Sequence, residues 1–453
     1  MKIAFITLGC PKNLVDTEVM LGILAQAGHQ FAGDPAEADV AIVSTCSFIA
    51  AAVQESREVI DGCLALKDRG LVERVVVAGC LPQRYGERTW DMFPGVDGVV
   101  GCSDFERIDD VVREVLEGRR VYRVGVPYAL YDDASPRVLG TPAHLAYVKI
   151  ADGCDNNCAY CTIPTLRGRL RSREPHSVVR EVLDLVESGV REVDLIAQDT
   201  TAYGTDIASD TPLPDLLSAL DDTGVLWVRV LYTHPAHVTE ELFSAMAGIP
   251  SVVPYLDMPI QHISDRVLER MGRRTDGERI RALLRSARRT VPGIAIRSSV
   301  MTGFPGETED DFRELHEFIR AGNIDHLGVF EFSPEDGTPA CSMPGQVDAE
   351  TASERARLLI EAMEVVTEAR GRELVGRELD VMVDASAGVA APAEARTPGQ
   401  AWEMDGIVFL EGETGGLAPG DLARVTVTGA RGFDLIARPS QRVRSALGGG
   451  ETA

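Results

Sequence analysis

The sequence predicts an α/β protein of three parts: a parallel-sheet amino-terminal domain, a partial (βα)6 barrel, and a small antiparallel β-barrel at the carboxyl terminus. Three observations lead to this fold class. Up to about residue 120, short apolar strands alternate with helical stretches. Between residues 143 and 372, six further strand candidates alternate with helices. From Leu374 onward, short strands are separated by glycine-rich turns, which is typical of a small barrel.

Length, hydropathy and charge indicate the number of domains, the location and the kind of partner. A chain of 453 residues is too long for one ordinary core, so several domains are expected. No apolar run reaches about 18 residues, and MKIAFITLGC passes directly into a strand pattern, so we expect a cytoplasmic protein with no membrane association. The net charge of −25 repels phosphate backbones and favours basic partners. Strong nucleic-acid binding is therefore not expected.

The first domain, residues 1–122, carries cysteines at the ends of its strands. The strand candidates are KIAFITLGC, VAIVSTCSF, RVVVAGCLPQ and VDGVVGCSD. Because the carboxyl ends of parallel strands meet at one edge of a sheet, three thiols are expected to converge there: Cys10, Cys46 and Cys80. Cys102 follows the fourth strand and is a rival third ligand. Cys63 and Cys341 are interpreted as packing cysteines.

A linker and a half-barrel follow. Residues 123–142, RVGVPYALYDDASPRVLGTP, show no clear period and several proline and glycine breaks, which predicts an interdomain linker. The strands of the second domain, residues 143–372, are LAYVKI, EVDLIAQD, LWVRVLYTH, VPYLDMPIQH, AIRSSVMTGFPG and DHLGVFEFS. Six units in place of eight predict a barrel open on one side, with its active site at the carboxyl ends of the strands.

The last domain is acidic. Its strands, LDVMVDA, MDGIVFL and LARVTVTGA, lie in residues 373–440, and residues 441–453 are expected to form a disordered tail. From residue 373 to the end there are twelve acidic and seven basic residues, a net charge of −5. A module that holds tRNA needs a basic face, so this charge favours a basic protein as the partner, although a local arginine cluster could still bind RNA.

The most informative motif is a cysteine triplet directly after LAYVKI, in the run ADGCDNNCAYC: Cys154, Cys158 and Cys161. Thiolates are the ligands of iron–sulfur clusters, and three of them leave one iron of a four-iron cubane open. The amino and carboxylate groups of S-adenosylmethionine could bind at that iron. Zinc is the alternative, but a structural zinc site normally has a fourth Cys or His nearby, and residues 156–170 offer no further one.

The triplet resembles the signature of the radical S-adenosylmethionine enzymes, in which the position of Tyr160 packs against the adenine. Over nearly the whole chain, the arrangement resembles the methylthiotransferases, which join an amino-terminal cluster domain, a radical S-adenosylmethionine barrel and a TRAM barrel. LGCPKNLVDTE, LIAQDTTAYG and YLDMPIQH are similar to the RimO-type versions, which modify a ribosomal protein. GFPGET and RGRLRSR are shared with the tRNA-modifying MiaB-type enzymes.

This resemblance implies a function and its cofactors. A 4Fe–4S cluster on the triplet would use S-adenosylmethionine to generate a 5′-deoxyadenosyl radical, and a second 4Fe–4S cluster on Cys10, Cys46 and Cys80 would deliver methylated sulfur. The target would be the β-carbon of an aspartate in ribosomal protein S-twelve, free or in the small subunit. A low-potential electron donor such as flavodoxin or ferredoxin and a sulfur donor are implied as partners. No catalytic residue is assigned beyond the cluster ligands.

Two other functions compete with this one. The first is a tRNA adenosine methylthiotransferase, and the second is a non-catalytic iron–sulfur adaptor that associates with ribosomes. Failure to cleave S-adenosylmethionine after full reduction would favour the adaptor.

Several other polar residues are candidates for the site. Gln198 and Asp199 follow a strand end and could bind the cofactor, although Asp199 equally fits a helix cap. His234 and His262 are interpreted as loop-packing histidines. A basic run after the triplet could contact a carboxylate of substrate or cofactor, although a solvated face is the default interpretation: Arg167, Arg169, Arg171 and Arg173.

Overall fold

The computed structural model describes residues 1–209, 211–388, 391–414 and 416–444. Three sheets of five or six strands organise these residues in chain order, together with one short two-stranded pair. In the described part of the chain, no helix has the length and apolar character needed to cross a membrane. The predicted fold class is confirmed.

The amino-terminal domain is a parallel six-stranded sheet in the order β2-β1-β3-β4-β5-β6, with helices packed on it. Every residue of β3 is buried, which is typical of a central strand covered by helices on both faces. The sequence analysis did not predict β2 and β6, because each has only three residues, too few to show the alternating pattern of a strand. The strands are Lys2–Thr7 (β1), Gln30–Ala32 (β2), Val40–Thr45 (β3), Arg74–Gly79 (β4), Gly98–Val100 (β5) and Val121–Arg123 (β6). The helices are Pro11–Gln26 (α1), Ala50–Asp68 (α2), Cys80–Tyr85 (α3), Arg88–Met92 (α4) and Ile108–Leu116 (α5).

Residues 123–142 form a packed strap. Tyr131 is buried, and its hydroxyl lies 3.2 Å from both carboxylate oxygens of Glu181. The Arg137 guanidinium pairs with Glu18 of α1 and with Glu181, each at 2.6 Å. Proline and glycine breaks removed the periodicity of this segment, but its side chains tie the first domain to the second.

The second domain is a half-barrel. Its six parallel strands follow the order β14-β13-β12-β11-β10-β7, so β14 and β7 are edges and the sheet does not close. The strands are Leu145–Lys149 (β7), Ala151–Asp152 (β8), Arg171–Ser172 (β9), Glu192–Ile196 (β10), Trp227–Val230 (β11), Val252–Asp257 (β12), Ala295–Thr302 (β13) and His326–Glu331 (β14), with β8 and β9 forming the separate antiparallel pair. The helices are Ile163–Arg167 (α6), Pro175–Glu187 (α7), Leu213–Asp221 (α8), Glu240–Gly248 (α9), Asp265–Met271 (α10), Gly277–Thr290 (α11), Glu309–Arg320 (α12) and Ala349–Leu374 (α13).

The carboxyl-terminal domain is a closed barrel of five strands in the order β15-β16-β17-β19-β18. All strand pairs are antiparallel except β17 with β19. The strands are Glu378–Ala385 (β15), Ala393–Arg396 (β16), Val408–Leu410 (β17), Leu422–Arg431 (β18) and Asp434–Arg444 (β19). Strand β19 extends past residue 440, where we expected the tail to begin; residues 445–453 lie outside the described residues.

A segment of this last domain, residues 396–405, enters the inner face of the half-barrel. Arg396 pairs with the buried Glu192 of β10 at 2.6 Å. Arg229 donates to the carbonyl oxygen of Pro398 at 2.7 Å, and the Tyr255 hydroxyl donates to Asp405 at 2.6 Å. These buried contacts fix the third domain against the second.

Candidate active site

The predicted strand-end thiols do converge. Cys10 caps α1 just after β1, Cys46 follows β3, and Cys80 begins α3 directly after β4. Gly9, in the left-handed region at φ +95°, makes the approach possible, because a Cβ there would lie 2.8 Å from the Cβ of Cys46. Burial and the neighbouring Cys80 and Cys10 thiols raise the pKa of Cys46 to about 12. Such a thiol needs a bound metal to become a thiolate.

Cys102, the rival ligand, lies against Cys80, with the two Sγ atoms 3.8 Å apart and both residues buried. A hydrogen bond from the Cys102 thiol and the nearby Arg167 guanidinium, whose Nη2 lies 3.6 Å from Sγ of Cys80, lower the pKa of Cys80. The same contact and burial raise the pKa of Cys102. Cys46 lies beside Cys80 and Cys10, and Arg167 donates to Cys80, so the geometry favours Cys80 over Cys102 as the third ligand.

The second thiol set lies on a single loop between β8 and α6. Backbone hydrogen bonds hold it: Cys154 N–H donates to Gly168 O at 3.1 Å, and Ala159 N–H donates to Met271 O at 2.9 Å. Burial raises the pKa of Cys161 to about 12, and Arg273 donates to Sγ of Cys158 at 3.7 Å. This loop is at the carboxyl end of β7, the position expected for an active site in a β–α barrel.

The donor chemistry of both sets fits clusters better than single zinc ions. Four thiolates around zinc stand about 4 Å apart, given Zn–S bonds of about 2.3 Å in a tetrahedron. In the part of the chain that the structure describes, the only three His, Cys, Asp or Glu ligand atoms mutually within 4.8 Å belong to Asp199, His234 and His237. The cysteine sets are more open, as suits thiolates that bind different irons of a cubane.

Gln198 and Asp199 lie beside the cysteine loop. One carboxylate oxygen of Asp199 accepts from the Thr201 N–H at 3.1 Å, as a cap does. The other accepts from Nδ2 of Asn156, within the cysteine loop, at 2.6 Å, and lies 2.7 Å from Nδ1 of His237. Gln198 donates to Asp152 at 2.6 Å. Asp199 is thus both a cap and an anchor of the loop; Asn156 and His237 were missed because their contacts are not local in sequence.

Tyr160 packs against another aromatic ring, and His234 and His262 are buried histidines. The Tyr160 ring meets the Phe304 ring edge-on, with centroids 6.4 Å apart, in an apolar cluster next to the cysteines. Burial lowers the pKa of His234 to about 3 and that of His262 to about 4, so both rings are neutral near pH 7. Each accepts a backbone N–H at Nδ1, from Ala236 and Ser264 respectively.

The solvated-face interpretation of the basic run is wrong for two of its members. Arg169 is exposed, but the side chains of Arg167 and Arg173 are each only 2 % exposed. They pair with the protein's own carboxylates, Arg173 with Glu181, so neither is free to bind a substrate or cofactor carboxylate. The run folds back between the first two domains instead of following the surface.

Arg167 belongs to a buried charge network that runs from Cys80, in the first domain, to residues beside the cysteine loop of the second. Its Nη1 lies 2.5 Å from Asp16 of α1 and 3.3 Å from Asp152, while Lys149 pairs with the same two carboxylates. Asp152 in turn accepts from Gln198. Hydrogen bonds therefore run from Cys80 through Arg167 and Asp152 to Gln198, and the cysteine edge of the first sheet faces the mouth of the half-barrel.

Comparisons with known proteins agree with this division. Residues 2–101 match the model of the uncharacterized protein family UPF0004, residues 148–319 that of the radical SAM superfamily, and residues 375–439 that of the TRAM domain. In fold, the chain is similar to the radical S-adenosylmethionine methyltransferase TsrM from Kitasatospora setae, solved with tryptophan and a SAM analogue. The TM-score is 0.55 at 16% identity, covering 81% of this chain and 89% of that one.

The half-barrel, its cysteine loop and the flanking domains define a radical S-adenosylmethionine enzyme of the methylthiotransferase class. The chain is 44% identical over 438 residues to the ribosomal protein uS12 methylthiotransferase RimO of Desulforudis audaxviator, covering 96% of both chains. It is 43% identical over 444 residues to that of Trichlorobacter lovleyi, covering 96% of this chain and 97% of that one. The chain belongs to the RimO family of methylthiotransferases. This membership confirms the predicted cofactors, S-adenosylmethionine and two 4Fe–4S clusters.

Proposed function

We propose that this chain replaces a β-hydrogen of an aspartate in ribosomal protein uS12 by a methylthio group. In this proposal Cys154, Cys158 and Cys161 hold the radical-generating cluster, and Cys10, Cys46 and Cys80 hold the auxiliary one. The observation that carries it is the contact between the two thiol-bearing domains at Arg167, which follows the cysteine loop of the second domain, donates to Sγ of Cys80 and pairs with Asp16 of the first. Bound there, the clusters and S-adenosylmethionine would supply the radical and the methylthio group.

The chain's own residues would position these groups. Asp199 and Asn156 hold the cysteine loop in place through their 2.6 Å hydrogen bond. Tyr160, with Phe304 behind it, offers a ring against which an adenine could pack. Gln198, already bound to Asp152, has a buried carbonyl oxygen with no hydrogen-bond partner among the described residues, and this oxygen could accept from the cofactor's amino group.

The charge of the protein supports a basic substrate. Of the acidic residues in the third domain, Asp405 is buried beside Arg297 at 3.3 Å and is structural. Glu403, Glu411 and Glu413 are exposed and free to face a partner. Ribosomal proteins are basic because they bind RNA, so an acidic face suits uS12 better than tRNA. A low-potential electron donor such as flavodoxin or ferredoxin, a sulfur donor and a cytoplasmic location belong to the same proposal.

The test is an anaerobic reaction of the iron-loaded protein with S-adenosylmethionine, a reductant and purified uS12. We expect one uS12 peptide to gain the mass of one SCH2 unit on an aspartate. The matched control is uS12 with that aspartate replaced by alanine, which should gain nothing. If bulk tRNA supplied in the same reaction gains the mass and uS12 does not, the tRNA-modifying alternative replaces this proposal.

A further inference from the structure

We propose that the ammonium group of Lys12 forms a carboxylate-binding subsite, which holds the side-chain carboxylate of the target aspartate between the two centres. The inference rests on the proposed function and adds to it the residue that recognises the acidic side chain. It starts from a buried charge that the protein itself does not neutralise by direct contact.

Lys12 lies in the first turn of α1, two residues after Cys10, and only 7 % of it is exposed. Its Nζ lies over the ring of Tyr232, 2.8 Å from the centroid. Among the residues that the structure describes, this ammonium has no carboxylate within 4.0 Å and no hydrogen-bond acceptor. The buried cations around it differ: Lys149 and Arg167 each contact two carboxylates. Lys12 is thus a largely buried cation next to the first thiol set whose ammonium group has room for a carboxylate partner.

The aromatic ring that contacts Lys12, that of Tyr232, is held in a fixed position. Tyr232 follows β11 at the mouth of the half-barrel and adopts φ +62°, a left-handed conformation that is strained for a tyrosine. The Asp257 carboxylate holds it there by accepting from the Tyr232 N–H at 2.8 Å. The aromatic face covers one side of the ammonium and stabilises its charge. A lysine from the first domain thus reaches onto the active-site face of the second.

The nearest carboxylates are already engaged. Asp257 accepts from Tyr232 and lies 3.5 Å from Arg297, and Asp152 is shared by Lys149, Arg167 and Gln198. Neither carboxylate lies within 4.0 Å of the Lys12 ammonium. Its N–H groups remain available to a carboxylate that arrives with the substrate.

The position also fits the chemistry of the reaction. The β-carbon of aspartate is bonded directly to the carboxyl carbon, and Lys12 follows Cys10 by two residues, so a carboxylate held on Lys12 would keep the reacting carbon near the thiol set of the first domain. Cys10 belongs to the thiol set that we assign to the sulfur-delivering centre. An ammonium group stabilises a carboxylate more than it stabilises a neutral ring, so Lys12 would select acidic side chains.

The experiment measures affinity, not turnover. Iron-loaded protein with S-adenosylmethionine bound is titrated with uS12 and with uS12 carrying Asp→Asn at the target position. We expect the parent to bind the aspartate form at least about tenfold more tightly, as for a desolvated ion pair. Lys12→Met should bind both forms equally, and Lys12→Arg should retain part of the preference. Lys2→Met, an exposed lysine of the same domain, should behave as the parent.

Three results would overturn the inference. The parent could bind the Asp and Asn forms equally, or Lys12→Met could keep the parent's preference. Lys12→Met could also lose iron or change the electron paramagnetic resonance signal of the reduced protein, which would show that Lys12 acts on the auxiliary centre. Failure of the proposed function is separate, because it would appear as unmodified uS12 after reaction with the parent protein itself.

Discussion

The two cysteine sets are built in opposite ways. Cys154, Cys158 and Cys161 lie within eight residues on one loop, so local backbone hydrogen bonds are enough to fix them. Cys10, Cys46 and Cys80 are 36 and 34 residues apart and meet only because β1, β3 and β4 are neighbours in one parallel sheet. The first set, which we call the local set, therefore depends on one loop. The second, which we call the dispersed set, depends on the fold of the first domain and on how that domain packs.

The largest effect is expected from removing the local set. Replacing Cys154, Cys158 and Cys161 by Ala should lower the iron content from about eight to about four per chain, because only one 4Fe–4S site remains. Cleavage of S-adenosylmethionine should be abolished. Iron analysis checks the first expectation and chromatography of cleavage products the second; a variant that still holds about eight irons would contradict the assignment of this set.

The second prediction concerns whether Cys80 or Cys102 is the third ligand of the auxiliary cluster. Cys80→Ala should lose the auxiliary cluster, while Cys102→Ala should keep the full iron content, because Cys46 lies beside Cys80 and Cys10 and because Arg167 donates to Cys80. Iron content and the electron paramagnetic resonance signal of each reduced variant are the measurements. The reverse pattern would move the third ligand to Cys102.

Arg167→Met tests whether the dispersed set depends on domain packing. It would leave Asp16 and Asp152 with one cation fewer in a buried site, where breaking a pair costs about 3–5 kcal/mol. We expect a lower free energy of unfolding and faster loss of iron from the auxiliary site. Arg169→Met is the control, since Arg169 is 91% exposed and should change stability by less than about 0.5 kcal/mol. Equal stabilities of the two variants would show that the network does not support this site.

The smallest effect is expected from the exposed acidic residues of the third domain, which carries none of the assigned cluster ligands. Replacing Glu403, Glu411 and Glu413 by Lys should weaken uS12 binding, and added salt should weaken binding to the parent, because exposed charges are screened over about 10 Å at 0.1 M. Both cysteine sets should keep their iron. Calorimetric titration at two salt concentrations measures this, and unchanged affinity at low salt would remove the third domain as a docking surface.

Sequence reasoning succeeded where short-range patterns carry the information. The alternation of strands and helices predicted the fold class, which is confirmed. The spacing of the triplet and the strand-end rule predicted the two thiol sets, and their role as cluster ligands stays a prediction. Sequence reasoning failed where contacts join distant residues. The buried pairing of Arg167 with Asp16, the His237–Asp199 contact and the packing of the 123–142 strap arise only when the domains meet. Strands β2 and β6 were not predicted because they are too short to show an alternating pattern in the sequence.

The most direct test of the account is the mass of uS12 and of tRNA from a strain that lacks this protein, complemented in turn with the parent and with Cys10, Cys46 and Cys80 replaced by Ala. The account predicts that only the parent restores one SCH2 unit on a uS12 aspartate and that tRNA is the same in all strains. Two results would contradict the account: restoration of the uS12 modification by the cysteine variant, or modification of tRNA and not of uS12 by the parent. Either result would show that the two thiol sets do not act together on an aspartate of uS12.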